Sequence, residues 1–84
     1  MLRITKTAET RFRVTVRLEG QVRSPWTAEL ESQALACQLA GQQAVLDFSG
    51  VTFVSAEGVE LIKRLRSRGT LVTRCSPIVE DLLK

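Results

Sequence analysis

Residues able to do chemistry are few and scattered in this chain. Its 84 residues include no histidine and no tyrosine, which removes the commonest general acid–base group and several partners of nucleophiles. The acidic residues do not cluster in sequence. Asp47 and Glu57 are the pair a fold is able to bring together, but an aspartate at a strand end more often caps a loop. Cys37 and Cys75 stand far apart without metal-ligand spacing, and a disulfide framework in so short a chain normally shows four or more cysteines. Both read as reduced thiols used as small packing residues. Cys75 directly precedes the last expected helix, where the dipole lowers a thiol pKa. It has no partner cysteine nearby, and a small residue at a strand end accounts for it. No catalytic residue, metal site or cofactor is predicted.

The basic residues are next. The net charge of +3 is too mild to imply a nucleic-acid partner unless the positive groups gather on one surface. Arg3, Arg11, Arg13 and Arg17 are expected to share the open face of an N-terminal hairpin. That face has no aromatic residues for base stacking, and a solvated edge that discourages sheet-to-sheet aggregation explains the arginines better. Lys63, Arg64, Arg66 and Arg68 fall in the C-terminal half of a helix, where positive charge offsets the dipole. No nucleic acid is expected as a partner.

One tetrapeptide stands out: Ser55-Ala56-Glu57-Gly58, at the start of an expected helix. Glycine in a first helical turn costs roughly 1 kcal/mol against alanine, so a local gain must offset it. Tight internal packing of Gly58 and a close approach by a partner both meet that requirement.

The elements that must position these residues follow from patterning. Arg11 to Glu19 alternates strictly, with Phe12, Val14, Val16 and Leu18 on one side and Arg13, Thr15 and Arg17 on the other, which predicts a strand with one wet face. Leu2 and Ile4 alternate likewise. A turn through Thr7-Ala8-Glu9-Thr10 would make the two strands an antiparallel hairpin. Ser24-Pro25 predicts a helix start, with serine as cap and proline in the first turn. Leu30, Ala34 and Cys37 line one face of that helix, Leu35 and Leu39 lie beside them, and Gly41 ends it. Ala44-Val45-Leu46-Asp47-Phe48 reads as a central strand, broken at Ser49-Gly50, with Val51, Phe53 and Val54 tucked into the core along a loop. A second helix runs from Ser55 to Ser67, turning Val59, Ile62 and Leu65 inward with Leu61 alongside, and Gly69 closes it. Thr70 to Thr73 is a fourth strand. Ser76-Pro77 opens a last helix, striped by Ile78, Val79, Leu82 and Leu83 and stopping at Lys84. The order predicts a single α/β domain over residues 1–84. Its sheet is mixed and four-stranded, the first strand antiparallel and the helices on one face.

No apolar run approaches the roughly 20 residues that span a bilayer, so no membrane insertion is expected. The alternating N-terminus lacks an apolar signal core, and the expected location is the cytoplasm.

Taken together, several segments resemble the STAS family, the fold of bacterial anti-sigma factor antagonists and of sulphate-transporter cytoplasmic domains. They are Leu18-Glu19-Gly20, the helix opening Thr27-Ala28-Glu29-Leu30, Val45 through Val54, Gly58-Val59, and Ser76-Pro77-Ile78-Val79. Their order and spacing cover nearly the whole chain. The resemblance implies a non-catalytic protein-binding module whose partner is an anti-sigma kinase-like or other regulatory protein. It also implies a contact surface at Ser55, Ala56, Glu57 and Gly58. In phosphorylated members the second helix opens with Asp-Ser-Ser-Gly and the first serine takes the phosphate. Here Ala56 falls at that serine, Ser55 at the aspartate and Glu57 at the second serine. Control at the usual serine is therefore not expected, and Ser55, as the helix cap, is not expected to be phosphorylated in its stead. Members usually carry a further helix or strand beyond the last motif, which leads to the expectation of a weak homodimer through the edge of the last strand. A nucleotide or other anion at the second helix start is the alternative, although Glu57 would repel it and no glycine-rich phosphate loop exists. A regulatory subunit of a transporter is also compatible with the resemblance.

Overall fold

Alternation in the first twenty residues builds a hairpin, β1 (Leu2–Glu9) and β2 (Arg13–Val22), in the computed structural model, which describes residues 1–83. The turn lies later than the pattern predicts. Thr7 sits inside β1, where the register shifts between Lys6 and Ala8. The chain reverses at Thr10, whose hydroxyl accepts from the Phe12 and Arg13 amides at 3.3 and 3.1 Å. A threonine that satisfies two turn amides outweighs the apolar rhythm around it. Phe12, expected inside, is thereby placed in the turn and is 71% exposed. Val14, Val16, Leu18 and Val22 are buried, while Arg13 and Arg17 remain exposed.

Helix α1 (Trp26–Leu39) follows. Ser24 does not cap it. Pro25 occupies the cap position with no side-chain cap bond, and the Trp26 N–H closes the preceding turn onto the Arg23 carbonyl at 2.9 Å. Thr27, Leu30 and Ala34 are buried. Leu35 and Leu39, expected beside them, are exposed. Leu39 lies nine residues beyond Leu30, about two and a half turns, which points it the opposite way.

Strand β3 (Gln43–Val54) does not break at Ser49-Gly50 as expected. Register irregularities against β2, between Arg17 and Glu19 and between Gly20 and Gln21, absorb the surplus residues and let pairing continue to Val22–Val54. A bulge can hold an extra residue without ending a strand. Val54 is buried and Val51 packs against the core, but Phe53, expected inside, is 48% exposed.

Helix α2 (Ala56–Ser67) has Glu57 in its first turn and Arg64 and Arg66 in its last, the placement its dipole favours. Leu61, Ile62 and Leu65 are buried and Val59 is half-buried. Both α1 and α2 are followed by a glycine with positive φ, Gly41 and Gly69, as helix ends prefer. Strand β4 (Leu71–Thr73) and helix α3 (Pro77–Leu82) complete the described chain. Ser76 caps α3 by accepting from the Val79 amide at 3.3 Å, with Pro77 in the first turn. Only Val79 and Leu83 turn inward; Ile78 and Leu82, expected with them, are exposed, because six helical residues present less than two turns to the core. The stop expected at Lys84 lies outside the described residues.

The sheet order is β1-β2-β3-β4. β1 is antiparallel to β2, and the other pairs are parallel. Leu30 and Ala34 of α1, Leu61, Ile62 and Leu65 of α2, and Val79 and Leu83 all join the cluster built on Val14, Val16, Leu18, Leu46 and Phe48. All three helices thus cover one sheet face. Arg3 opposite Glu19 and Thr5 opposite Arg17 mark the other face as the wet one.

Candidate functional site

β2 and β3 end side by side, Val22 against Val54. Carboxyl ends of parallel strands are where open α/β sheets place their functional surfaces. Just beyond, the Ser55 N–H donates to the Val22 carbonyl at 3.0 Å, fixing where α2 departs. Ser55 then caps the helix: its Oγ accepts from the Gly58 N–H at 3.0 Å, satisfying one of the amides a helix start leaves open.

Gly58 is buried in this first turn. A Cβ there would lie 2.5 Å from the Val22 carbonyl oxygen and 3.0 Å from Val54 Cγ1. Of the two explanations for a glycine at this place, internal packing is the one with visible contacts. Gly58 lets α2 start flush against the end of β2, and so shapes a surface that the other residues display.

Those others reach solvent. Ala56 and Glu57 are exposed and Ser55 is half-buried. Glu57 is held from the neighbouring helix, since Thr27 in the first turn of α1 donates its hydroxyl to Glu57 Oε1 at 2.8 Å. Thr27 is only 6% exposed. The starts of both helices are therefore tied together at the edge of the predicted site. Thr27 was not among the residues expected to form it. Its three-residue spacing from Leu30 marks it as core-facing, but nothing local links it to a carboxylate thirty positions away.

Other candidates go elsewhere. Asp47 does not lie at a strand end as expected: it sits inside β3, where its Oδ1 accepts from the Ser49 amide at 2.9 Å instead of meeting Glu57. That hydrogen bond holds its carboxyl below the ordinary value, with Arg74 and Arg17 adding to the effect and burial opposing it. Burial pushes the Cys75 thiol up, Glu80 adds to this, and Arg66 only partly offsets it. The lowering available to a thiol at a helix start does not prevail. Both cysteines are free and half-buried. Arg3, Arg13 and Arg17 do share the open sheet face, but Arg11 sits in the turn, and Glu19 and Asp47 pair in register with Arg3 and Arg17 on that face. Among the described residues no group of three or more histidine, cysteine or carboxylate side chains gathers as a metal would require. Among the described residues no helix is long and apolar enough to cross a membrane.

No protein-family model matches the chain, and no curated protein matches its sequence. Solved structures do match. The anti-sigma factor antagonist SpoIIAA in its unphosphorylated form superposes with a TM-score of 0.75 at 22% identity, over 95% of this chain and 80% of that one. The chain has the STAS fold. A second STAS domain, that of an anti-sigma factor antagonist from Rhodobacter sphaeroides, superposes with a TM-score of 0.60 at 18% identity, over 84% of this chain and 82% of that one. Mglu contains a similar arrangement, with a TM-score of 0.62 at 22% identity over 86% of this chain but only 19% of its own. The STAS likeness agrees with the expected architecture: a mixed sheet whose first strand is antiparallel, with helices packed on one side.

Proposed function

We propose that this STAS domain is a non-catalytic protein-interaction module of the anti-sigma factor antagonist kind, binding a regulatory protein partner through the start of α2 without phosphorylation at the usual serine. The observation that carries this reading is Ala56. It stands exposed in the first turn of α2, at the place where the family resemblance puts the phosphoacceptor, and it has no hydroxyl. Ser55, one residue earlier, already spends an acceptor lone pair on the Gly58 amide. Phosphorylating it would replace the cap that starts the helix.

Anion binding at the same helix start gains no support. The cap has engaged the Gly58 amide, and the Glu57 carboxylate lies in the first turn, where it would repel a phosphate. A cytoplasmic setting suits a partner of the anti-sigma kinase type.

Intact-mass analysis of the protein purified from its native cell tests the independence from phosphorylation. The expected result is a single unmodified mass under all growth conditions. A stoichiometric phosphate mapped to Ser55 would restore a displaced version of the switch and overturn this part of the reading.

A further inference from the structure

Helix α1 is apolar on two sides. Leu30 and Ala34 serve the core, while Leu35 and Leu39 stand 45% and 81% exposed. A helix advances about 100° per residue, so Ala28, Ser32, Leu35 and Leu39 form one stripe down the outward face, and all four are exposed. The stripe is small at its start and large at its end. We propose that it binds a second copy of this chain, α1 against α1, antiparallel about a two-fold axis.

Register follows from side-chain size. With the axis level with the junction of residues 33 and 34, Leu35 packs over the partner's Ser32 and Leu39 over the partner's Ala28. One axis satisfies both pairs. Large side chains then fill the gaps left by small ones, as close-packed interfaces require, and the opposed helix dipoles attract.

Charge points to the same arrangement. A shallow groove of about 580 Å³ runs beside the stripe, lined in part by Glu31, Gln38 and Arg68. An antiparallel two-fold pair brings like flanks together, which carries Arg68 to the partner's Glu31 on both sides of the axis. Among the described residues Arg68 makes no ion pair, whereas Glu31 is held by Arg64 at 3.1 Å and remains 38% exposed, so its carboxylate has room for a second guanidinium. The edge of β4, one of the two free edges of the sheet, is three residues long and is followed by Arg74 in a left-handed conformation, φ 57°. It offers few hydrogen bonds. The α1 face is the better surface, and a single helix pair buries less than the roughly 800 Å² per partner of stable complexes. The dimer is therefore weak and concentration-dependent.

Sedimentation velocity of the full chain over a concentration series tests this. A monomer–dimer equilibrium is expected, and Leu39→Glu should weaken it about tenfold or more (at least 1.4 kcal/mol) without changing the melting temperature, because the position is exposed. Register is tested by cross-linking. Ala28→Cys combined with Leu39→Cys places two thiols about 16 Å apart along one helix, too far to bridge within a chain, so mild oxidation should yield a covalent dimer. Neither single variant should do so, and native Cys37 is present in all three as the internal reference. A monomer at every concentration, a dimer indifferent to Leu39→Glu, or equal cross-linking by the single variants would each overturn the proposal.

Discussion

Leu46→Ala is expected to cost about 2–5 kcal/mol and, in a chain this short, to remove much of the folding stability. Small domains hold only about 5–15 kcal/mol in total, and this one sits at the low end by size. Leu46 is 1% exposed, lies on β3 between β2 and β4, and pairs in register with Val16 and Val72. Truncation removes apolar burial and leaves a cavity under two helices that cannot collapse independently of the sheet. Arg13→Ala, on the wet face one strand away, should shift stability by less than about 0.5 kcal/mol. Urea denaturation of the two variants decides the matter, and an Arg13 variant more damaged than the Leu46 variant would mean the two sheet faces have been exchanged.

Gly58→Ala should also destabilise, against the trend for helices. Helix propensity alone would gain about 1 kcal/mol. The new methyl group, however, would lie 2.5 Å from the Val22 carbonyl oxygen and 3.0 to 3.1 Å from methyl groups of Val54 and Val22. The closest of these is backbone, which cannot rotate away, and its oxygen also receives the Ser55 amide. Relief requires α2 to lift from the end of β2, so a net loss of about 1–3 kcal/mol is expected. The same displacement would disturb the surface at Ala56 and Glu57. A Gly58→Ala protein as stable as the parent in denaturant titration would show that the first turn has slack, and would remove the packing explanation for this glycine.

What could be read from the sequence, and what could not, follows from the range of the forces involved. β2 was legible because strict alternation over nine residues, Arg11 to Glu19, has one physical solution when one face is wet. α2 was legible because Ser55, the Val59-Ile62-Leu65 stripe with Leu61 alongside, and Gly69 all agree, although Val59 is only half-buried. The dipeptide serine-proline shows the limit of such signals. Ser76-Pro77 caps α3 as expected, yet Ser24-Pro25 does not cap α1, because Pro25 itself takes the cap position. Phe12 and Ser49-Gly50 were misread for related reasons: the Thr10 hydroxyl decided the turn, and a bulge absorbed what looked like a break. Ile78 and Leu82 were placed inward by a stripe longer than the helix that carries it. At the candidate site, the Ser55 cap is a contact across three residues and was visible. The Gly58–Val22 approach and the Thr27–Glu57 hydrogen bond join residues about thirty or more positions apart, and only the fold brings them together.

Ala56 is the point at which the binding claim is most exposed to test. Ala56→Arg adds volume and charge in a first-turn position open to solvent, so the fold should survive it, with a melting temperature close to that of the parent. Parent and variant, carrying the same affinity tag and expressed at equal level in the native cell, are to be compared by quantitative mass spectrometry of the proteins that copurify. The expected result is a specific protein partner recovered with the parent and lost with Ala56→Arg. Equal recovery of that partner with both proteins, at equal folding, would contradict a binding surface at the start of α2.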